Sequence, residues 1–215
     1  MGSWKGKSSV ILGHVCGKKG ATLTCVATWK GSVGIKNHSR EVRTKNIQGI
    51  FKKNLEAFQI SQFVQPVCTS TQRFFSQNTS RYDFIFIDGD HRHEAFCGDL
   101  TNALRCLNKG GTICGHDSEI KFTLLSPGEQ KMIRRNRQKD FLRFQGPSTV
   151  PEGVHPGVVL GLFEILQDRH FLIKTGAHGN GVWFWNGLGK KSQRDADLQR
   201  QVALATRCLD SRQEA

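Results

Sequence analysis

The stretch YDFIFIDGDHRHEAF, residues 82 to 96, runs from an unbroken apolar segment straight into Asp88, Asp90, His91 and His93. Phe84, Ile85, Phe86 and Ile87 follow one another with no polar break, the pattern of a strand buried on both faces in a parallel sheet flanked by helices. Sheets of that kind present their chemistry at the carboxyl ends of their strands. That is where the acids and imidazoles stand. The run HEAFCGDLTNALRCL then reads as a helix, with Leu100, Ala103, Leu104 and Leu107 on one side.

Strand and helix alternate on both sides of this stretch. Upstream, an apolar segment of helix length is stopped by Gly17 and Gly20, ATLTCVATW reads as a strand rich in Thr and Val, and EVRTKNIQGIFKKNLEAF as a helix with Val42, Ile47, Ile50, Phe51, Leu55 and Phe58 at helical spacing. FVQPVCT is a further strand, and NKGGTICGHD follows the helix after residue 93. Residues 118 to 153 are polar, basic and broken by Pro127, Gly128, Gly146 and Pro147, with a short helix at 129 to 143; excursions of that length serve as lids or binding loops. HPGVVLGLFEILQD resumes a helix, and HFLIKT with GVWFWNG form a closing antiparallel hairpin around residues 176 to 181. The expected architecture is α/β: a Rossmann-like, mainly parallel sheet with helices on both faces, in one domain over residues 1–188, followed by a polar basic tail over 189–215.

Composition narrows the function classes. The 215 residues are 37% hydrophobic, enough for one well-buried core, and no apolar run is long enough to span a bilayer or serve as a secretory signal. The expectation is a cytoplasmic protein without a membrane partner. Seven cysteines without a C-x-x-C pair read as core thiols in a reducing compartment. The net charge of +13 is concentrated in residues 1 to 60, at +9, and 118 to 146, at +4, around a neutral centre. Such flanks attract anions, which keeps a nucleic-acid partner in view, but no aromatic-interleaved basic motif accompanies them.

Five short motifs in order carry the chemistry. They are Gly2-Ser3-Trp4-Lys5-Gly6-Lys7-Ser8; Val26-Ala27-Thr28-Trp29; Phe86-Ile87-Asp88-Gly89-Asp90-His91; Gly110-Gly111-Thr112-Ile113-Cys114-Gly115-His116-Asp117; and His155-Pro156-Gly157-Val158. A glycine-rich turn opening a helix lets backbone N–H groups and the positive dipole end approach a ligand. Over residues 2 to 187 the series resembles the class I S-adenosylmethionine-dependent methyltransferases, and within them the macrocin-type O-methyltransferases.

The resemblance implies S-adenosyl-L-methionine as cofactor, with Gly2, Ser3, Gly6 and Ser8 cradling its methionine part and Thr28 and Asp88 completing the cofactor site. It implies a divalent cation, Mg²⁺ or another, held by Asp88, His116 and Asp117. The cation would orient a small polar acceptor and acidify its hydroxyl, with Asp88 and His91 as the catalytic pair and His91, a neutral imidazole near pH 7, as general base. Where the family carries a ribose-binding acid this chain has Ala27, which implies weaker cofactor binding. The glycine loop begins at residue 2, so the family's first, central strand is expected to be missing from the sheet.

Blander readings stay open at this point. Asp88 and Asp90 can cap the following helix, His93 reads as a surface residue, and Trp183 and Trp185 as hairpin packing. The competing function is a catalytically inactive, methyltransferase-like basic module that binds a polyanion or nucleic acid. A second enzyme class, an iron oxygenase, would use two imidazoles and a carboxylate as a facial set, but such a site has no use for the glycine loop. A homo-oligomer is compatible with either account.

Overall fold

A computed structural model describes residues 1–31, 36–150, 152–174 and 181–187. The elements in chain order are α1 (Lys7–Lys19), β1 (Leu23–Ala27), α2 (Lys36–Thr44), α3 (Ile47–Ala57), β2 (Val64–Cys68), α4 (Thr71–Gln77), β3 (Tyr82–Ile87), α5 (His93–Cys106), β4 (Leu107–Gly115), α6 (Pro127–Asn136), α7 (Pro156–Leu166), β5 (Phe171–Lys174) and β6 (Gly181–Trp185). The fold is the expected mixed α/β type. β1 and β2 form a parallel pair, Leu23 opposite Val64 through Ala27 opposite Cys68, and a second sheet has the order β3-β4-β6-β5. The closing strands β5 and β6 are antiparallel as anticipated. The residues of their connection, 175–180, and the tail expected over 189–215 lie outside the described residues.

By contacts the chain divides into two compact units. The first holds Met1–Ser80, Phe86–Asp90 and Gly98–Cys106; the second holds Arg81–Ile85, His91–Cys97 and Leu107–Ala215.

In the first unit the core is Cys25, Trp29, Ile47, Phe51, Leu55, Ile60 and Val64. α1 joins it in a way the hydrophobic pattern did not suggest. Its buried residues are Ser9 and Gly13, whereas Ile11 and Val15 face solvent. Small residues four apart leave room for larger neighbours: Gly13 lies against Ile60 and Val64, and Gly17 against the Phe63 ring. Gly17 therefore sits inside α1, and the helix ends at Gly20, whose left-handed backbone gives an αL cap. The single helix expected over 41 to 58 is two, because the Asn46 side chain accepts the Gly49 N–H and starts α3 afresh. α4, capped by Ser70, was not anticipated.

The second unit is built on α7, buried from Pro156 through Leu162. With Ile120, Phe122, Leu125, Ile133, Leu142 and Val154, its Val159 and Leu160 form the core cluster. The 118 to 153 excursion is therefore packed. Its helix α6 opens on a full capping box, Ser126 with Glu129, and Pro127 in the first turn. Glu129 fastens the segment: its carboxylate accepts from Ser126 N–H (2.8 Å) and Oγ (2.7 Å), Ser148 Oγ (2.7 Å), Thr149 N–H (2.8 Å) and Thr149 Oγ1 (2.8 Å). Burial opposes ionisation there, but the Ser148 and Ser126 hydroxyls hold the carboxyl down at about 2.

β3 corrects the opening expectation. Ile85 and Ile87 are buried, but Phe84 is 44% exposed. Tyr82, Phe84 and Phe86 share the less covered face and Ile85 and Ile87 the buried one, the alternation of a half-covered strand. Trp183 is fully buried, edge-on to Phe96 at 5.9 Å, in agreement with the packing role.

Candidate active site

The first unit brings together the ends of β1 and β3 through the first two residues of the chain. The Met1 ammonium donates to the Phe86 carbonyl (2.7 Å), the Asp88 N–H donates to the Met1 carbonyl (3.1 Å), and the Gly2 N–H donates to the Val26 carbonyl (3.2 Å). Gly2 has φ 83°, and a Cβ there would run into the Asp88 carbonyl. Ser3 closes the turn by accepting the Gly6 N–H (2.7 Å), and Gly6, at φ 94°, caps α1 beneath the Phe51 ring. Ser8 lies in the first turn of α1, where no acidic residue competes for the N–H groups. Two tryptophans of the motifs, Trp4 (φ 36°) and Trp29 (φ 54°), hold left-handed backbone, with Trp29 Nε1–H donating to the Trp4 carbonyl (2.9 Å). Non-glycine residues in that region store strain of about 1–3 kcal/mol each, a feature concentrated at functional sites. Thr28, at the end of β1, is exposed and accepts the Lys30 N–H (3.3 Å). Ala27 offers no side-chain acceptor.

The second unit collects imidazoles and carboxylates around Asp117, the residue that follows β4 and His116. Asp117 is buried and left-handed, at φ 64°. One carboxylate oxygen lies 2.7 Å from His116 Nδ1 and 3.9 Å from His155 Nδ1; the other lies 2.9 Å from His91 Nε2. His91 reaches Asp140 Oδ1 with its second nitrogen, also at 2.9 Å. His155 Nδ1 pairs at 2.5 Å with Glu119, which also accepts the His155 N–H at 3.1 Å. Gly157 makes this convergence possible. A Cβ there would collide with the backbone of His91 and His93, so only glycine lets the first turn of α7 lie against residues 91–93.

Electrostatics follow the geometry. Burial favours the neutral form of His91, but the Asp117 and Asp140 carboxylates outweigh it and lift the imidazole to about 10. Flanked by two carboxylates, His91 thus favours its protonated form, where the sequence led one to expect a neutral imidazole. Asp117 is the counterpart. Burial would raise it, but His116, His91 and His155 hold it well below the usual carboxylate range. His91 Nε2 is buried and out of line for a well-formed hydrogen bond to Asp117. The Asp117 oxygens stand 2.7 and 2.9 Å from the His116 and His91 nitrogens, the separation of hydrogen-bonded ion pairs. The ligand atoms of Asp117, Glu119 and His155, and those of His91, Asp140 and His155, lie within 4.8 Å of one another.

His91, His116 and Asp117 were read from the sequence, and the second unit brings them together. Asp88 lies after β3 in the first unit. Asp90 is not the N-cap of α5; that position is Arg92. Glu119 and Asp140 were missed. The signal available was faint: they are two of the three acids in the basic segment 118–146. Asp99 was missed as well. It is buried on α5, and desolvation, set against the Thr71 hydrogen bond, pushes its carboxyl up to about 6.

Residues 1–118 match a family described as a methyltransferase domain. Among solved structures, a putative O-methyltransferase from Klebsiella pneumoniae superposes with TM-score 0.52 at 14% identity, covering 87% of this chain and 71% of that one. A cofactor-bound protein from MTB gives TM-score 0.51 at 14% identity, covering 85% and 68%. The O-methyltransferase TomG of Streptomyces achromogenes, involved in tomaymycin synthesis and in complex with SAM, gives 0.50 at 12% identity, covering 85% and 69%. These likenesses establish the fold. No curated protein sequence matches the chain.

Proposed function

The chain belongs to the methyltransferase-domain family, and from that membership we propose that it transfers the methyl group of S-adenosylmethionine to an oxygen of a small polar acceptor, with a divalent cation assisting. The observation that carries the reading is the buried, left-handed Asp117 flanked by His116 and His91 after β4. Strained backbone holding an ionised carboxylate among imidazoles is an arrangement for chemistry rather than packing. TomG, whose fold this chain shares, is an O-methyltransferase in complex with SAM.

In this reading Gly2, Ser3, Gly6 and Ser8 present the turn and the free N–H groups of α1 to the methionine part of the cofactor. Thr28 and Asp88 complete that site. Asp88, His116 and Asp117 form the ligand set that the resemblance implies for the cation. A cation held there would orient the acceptor and lower the pKa of its hydroxyl. S-adenosylmethionine, when bound, would supply the methyl group and leave as S-adenosylhomocysteine, while the acceptor's hydroxyl proton would pass to His91, held between Asp117 and Asp140. His91 must first release its own resting proton, so Asp140 and Asp117 set the pH at which it serves as base.

The test is titration calorimetry of S-adenosylmethionine into the chain, with and without Mg²⁺ or Mn²⁺. Saturable micromolar binding supports the proposal, and a folded chain that binds no cofactor overturns it. A second reading, the inactive polyanion-binding module, is favoured by Ala27 and by the exposed Lys18, Lys19, Lys52 and Lys53 of the first unit. It requires salt-sensitive affinity for a polyanion together with no cofactor binding.

A further inference from the structure

Apart from the Asp117 site, the second unit carries a separate set of metal-competent side chains between the start of α5 and the end of α7. His93 and Cys97 are four residues apart on α5 and therefore project from the same face of the helix. Glu164 faces them from α7. His93 Nε2 lies 2.7 Å from Glu164 Oε2, and the donor atoms of His93, Cys97 and Glu164 all lie within 4.8 Å of one another. Gly161, one turn before Glu164, allows this approach: a Cβ there would sit 3.0 Å from Cys97 Sγ and 2.7 Å from Phe96. The carboxylate is oriented by Arg134, whose guanidinium stands 3.5 Å from its other oxygen and 4.8 Å from the centre of the Phe122 ring. A second residue that fixes a ligand in this way is a regular feature of metal sites.

We propose that His93, Cys97 and Glu164 bind a thiophilic divalent cation, Zn²⁺ by preference, with the fourth position open to water. One imidazole, one thiolate and one carboxylate form a borderline-soft set suited to zinc and poorly suited to Mg²⁺. Donors on a tetrahedral zinc stand about 3.5 Å apart, and side-chain torsions close the remaining distance. Burial and the Glu164 charge push the Cys97 thiol up to about 11. The resting sulfur is therefore S–H; on binding, its proton passes to the buffer and the thiolate donates its electron pair to the cation. The proton shared by His93 and Glu164 gives way likewise. The bound ion would staple α5 to α7.

Co²⁺ titrated into the whole chain tests this, because sulfur-to-cobalt charge transfer absorbs in the near ultraviolet only when a thiolate is a ligand. The expected result is a saturating band in the unmodified chain and in Cys68→Ser, its loss in Cys97→Ser, its weakening in His93→Gln, and its displacement by Zn²⁺. Absence of the band in the unmodified chain, or its persistence in Cys97→Ser, overturns the proposal. Far-ultraviolet dichroism establishes that each variant is folded. A test that needs no variant is alkylation by iodoacetamide mapped by mass spectrometry: Zn²⁺ protects Cys97 if the site exists, and unchanged labelling refutes it. Neither readout depends on S-adenosylmethionine.

Discussion

His91 Nδ1 lies 2.9 Å from Asp140 Oδ1, joining residues 49 apart in sequence. The carboxylate helps keep the imidazole protonated, so Asp140→Asn should lower the His91 pKa from about 10 toward its ordinary value. Proton-resonance titration of the histidine ring reads this directly. Once an acceptor is identified, His91→Asn should reduce turnover by about a hundredfold or more while leaving cofactor affinity nearly unchanged.

Gly2 and Gly20 both have left-handed backbone, but only Gly2 faces an obstacle, the Asp88 carbonyl. Gly20→Ala should therefore cost about 1 kcal/mol in urea unfolding and nothing in ligand binding. Gly2→Ala should displace the turn from Asp88 and abolish S-adenosylmethionine binding. Equal behaviour of the two variants in calorimetry would remove the cofactor role assigned to the turn.

Ala27 occupies the place of an acid in the resembling family. Ala27→Asp should supply an acceptor for the ribose hydroxyls and tighten cofactor binding by about tenfold, the equivalent of about 1.4 kcal/mol. Unchanged affinity would mean that the end of β1 does not hold the ribose.

His170 is 1% exposed, and among the described residues neither ring nitrogen has a hydrogen-bond partner. Burial, partly offset by Asp168 and reinforced by Lys121, depresses it to about 4 from an ordinary 6.5. The unfolded chain thus binds the proton more readily, and stability falls as pH drops from about 6.5 to about 4. The loss is on the order of 3 kcal/mol. His170→Leu should flatten the dependence in that window, as measured by denaturant midpoints at successive pH values.

Glu129 accepts five hydrogen bonds from three residues. Glu129→Ala leaves those donors facing a void and should destabilise the fold by roughly 2–4 kcal/mol. Glu129→Gln, which keeps part of the acceptor capacity, should cost less. The comparison is read from urea midpoints.

Much of this was legible in the chain because local rules and tertiary packing agreed. β3 ending in acids, α5 with its leucine face and α7 after His155 were each placed by periodicity and capping. The reading failed where one polar atom overrode a pattern. The Asn46 side chain divided an apparently continuous helix, and Ser9 and Gly13 gave α1 a buried face that its Ile11 and Val15 do not share. His116 and Asp117 announced themselves by adjacency to a strand end. Glu119 and Asp140 did not, because their partners are 36 and 49 residues away and only the folded chain brings them to His155 and His91.

The cross-link that Glu129 makes between the start of α6 and Ser148–Thr149 has an evolutionary consequence. With both ends of the excursion tied by one carboxylate, the exposed residues Gln145, Gly146 and Pro147 form a tip whose length and identity can drift without disturbing the histidines. Lengthening such a tip adds little closure entropy, about 0.6 kcal/mol for each doubling. Descendants of this chain could thus inherit its acid and imidazole cluster intact while trying new loop sequences beside it.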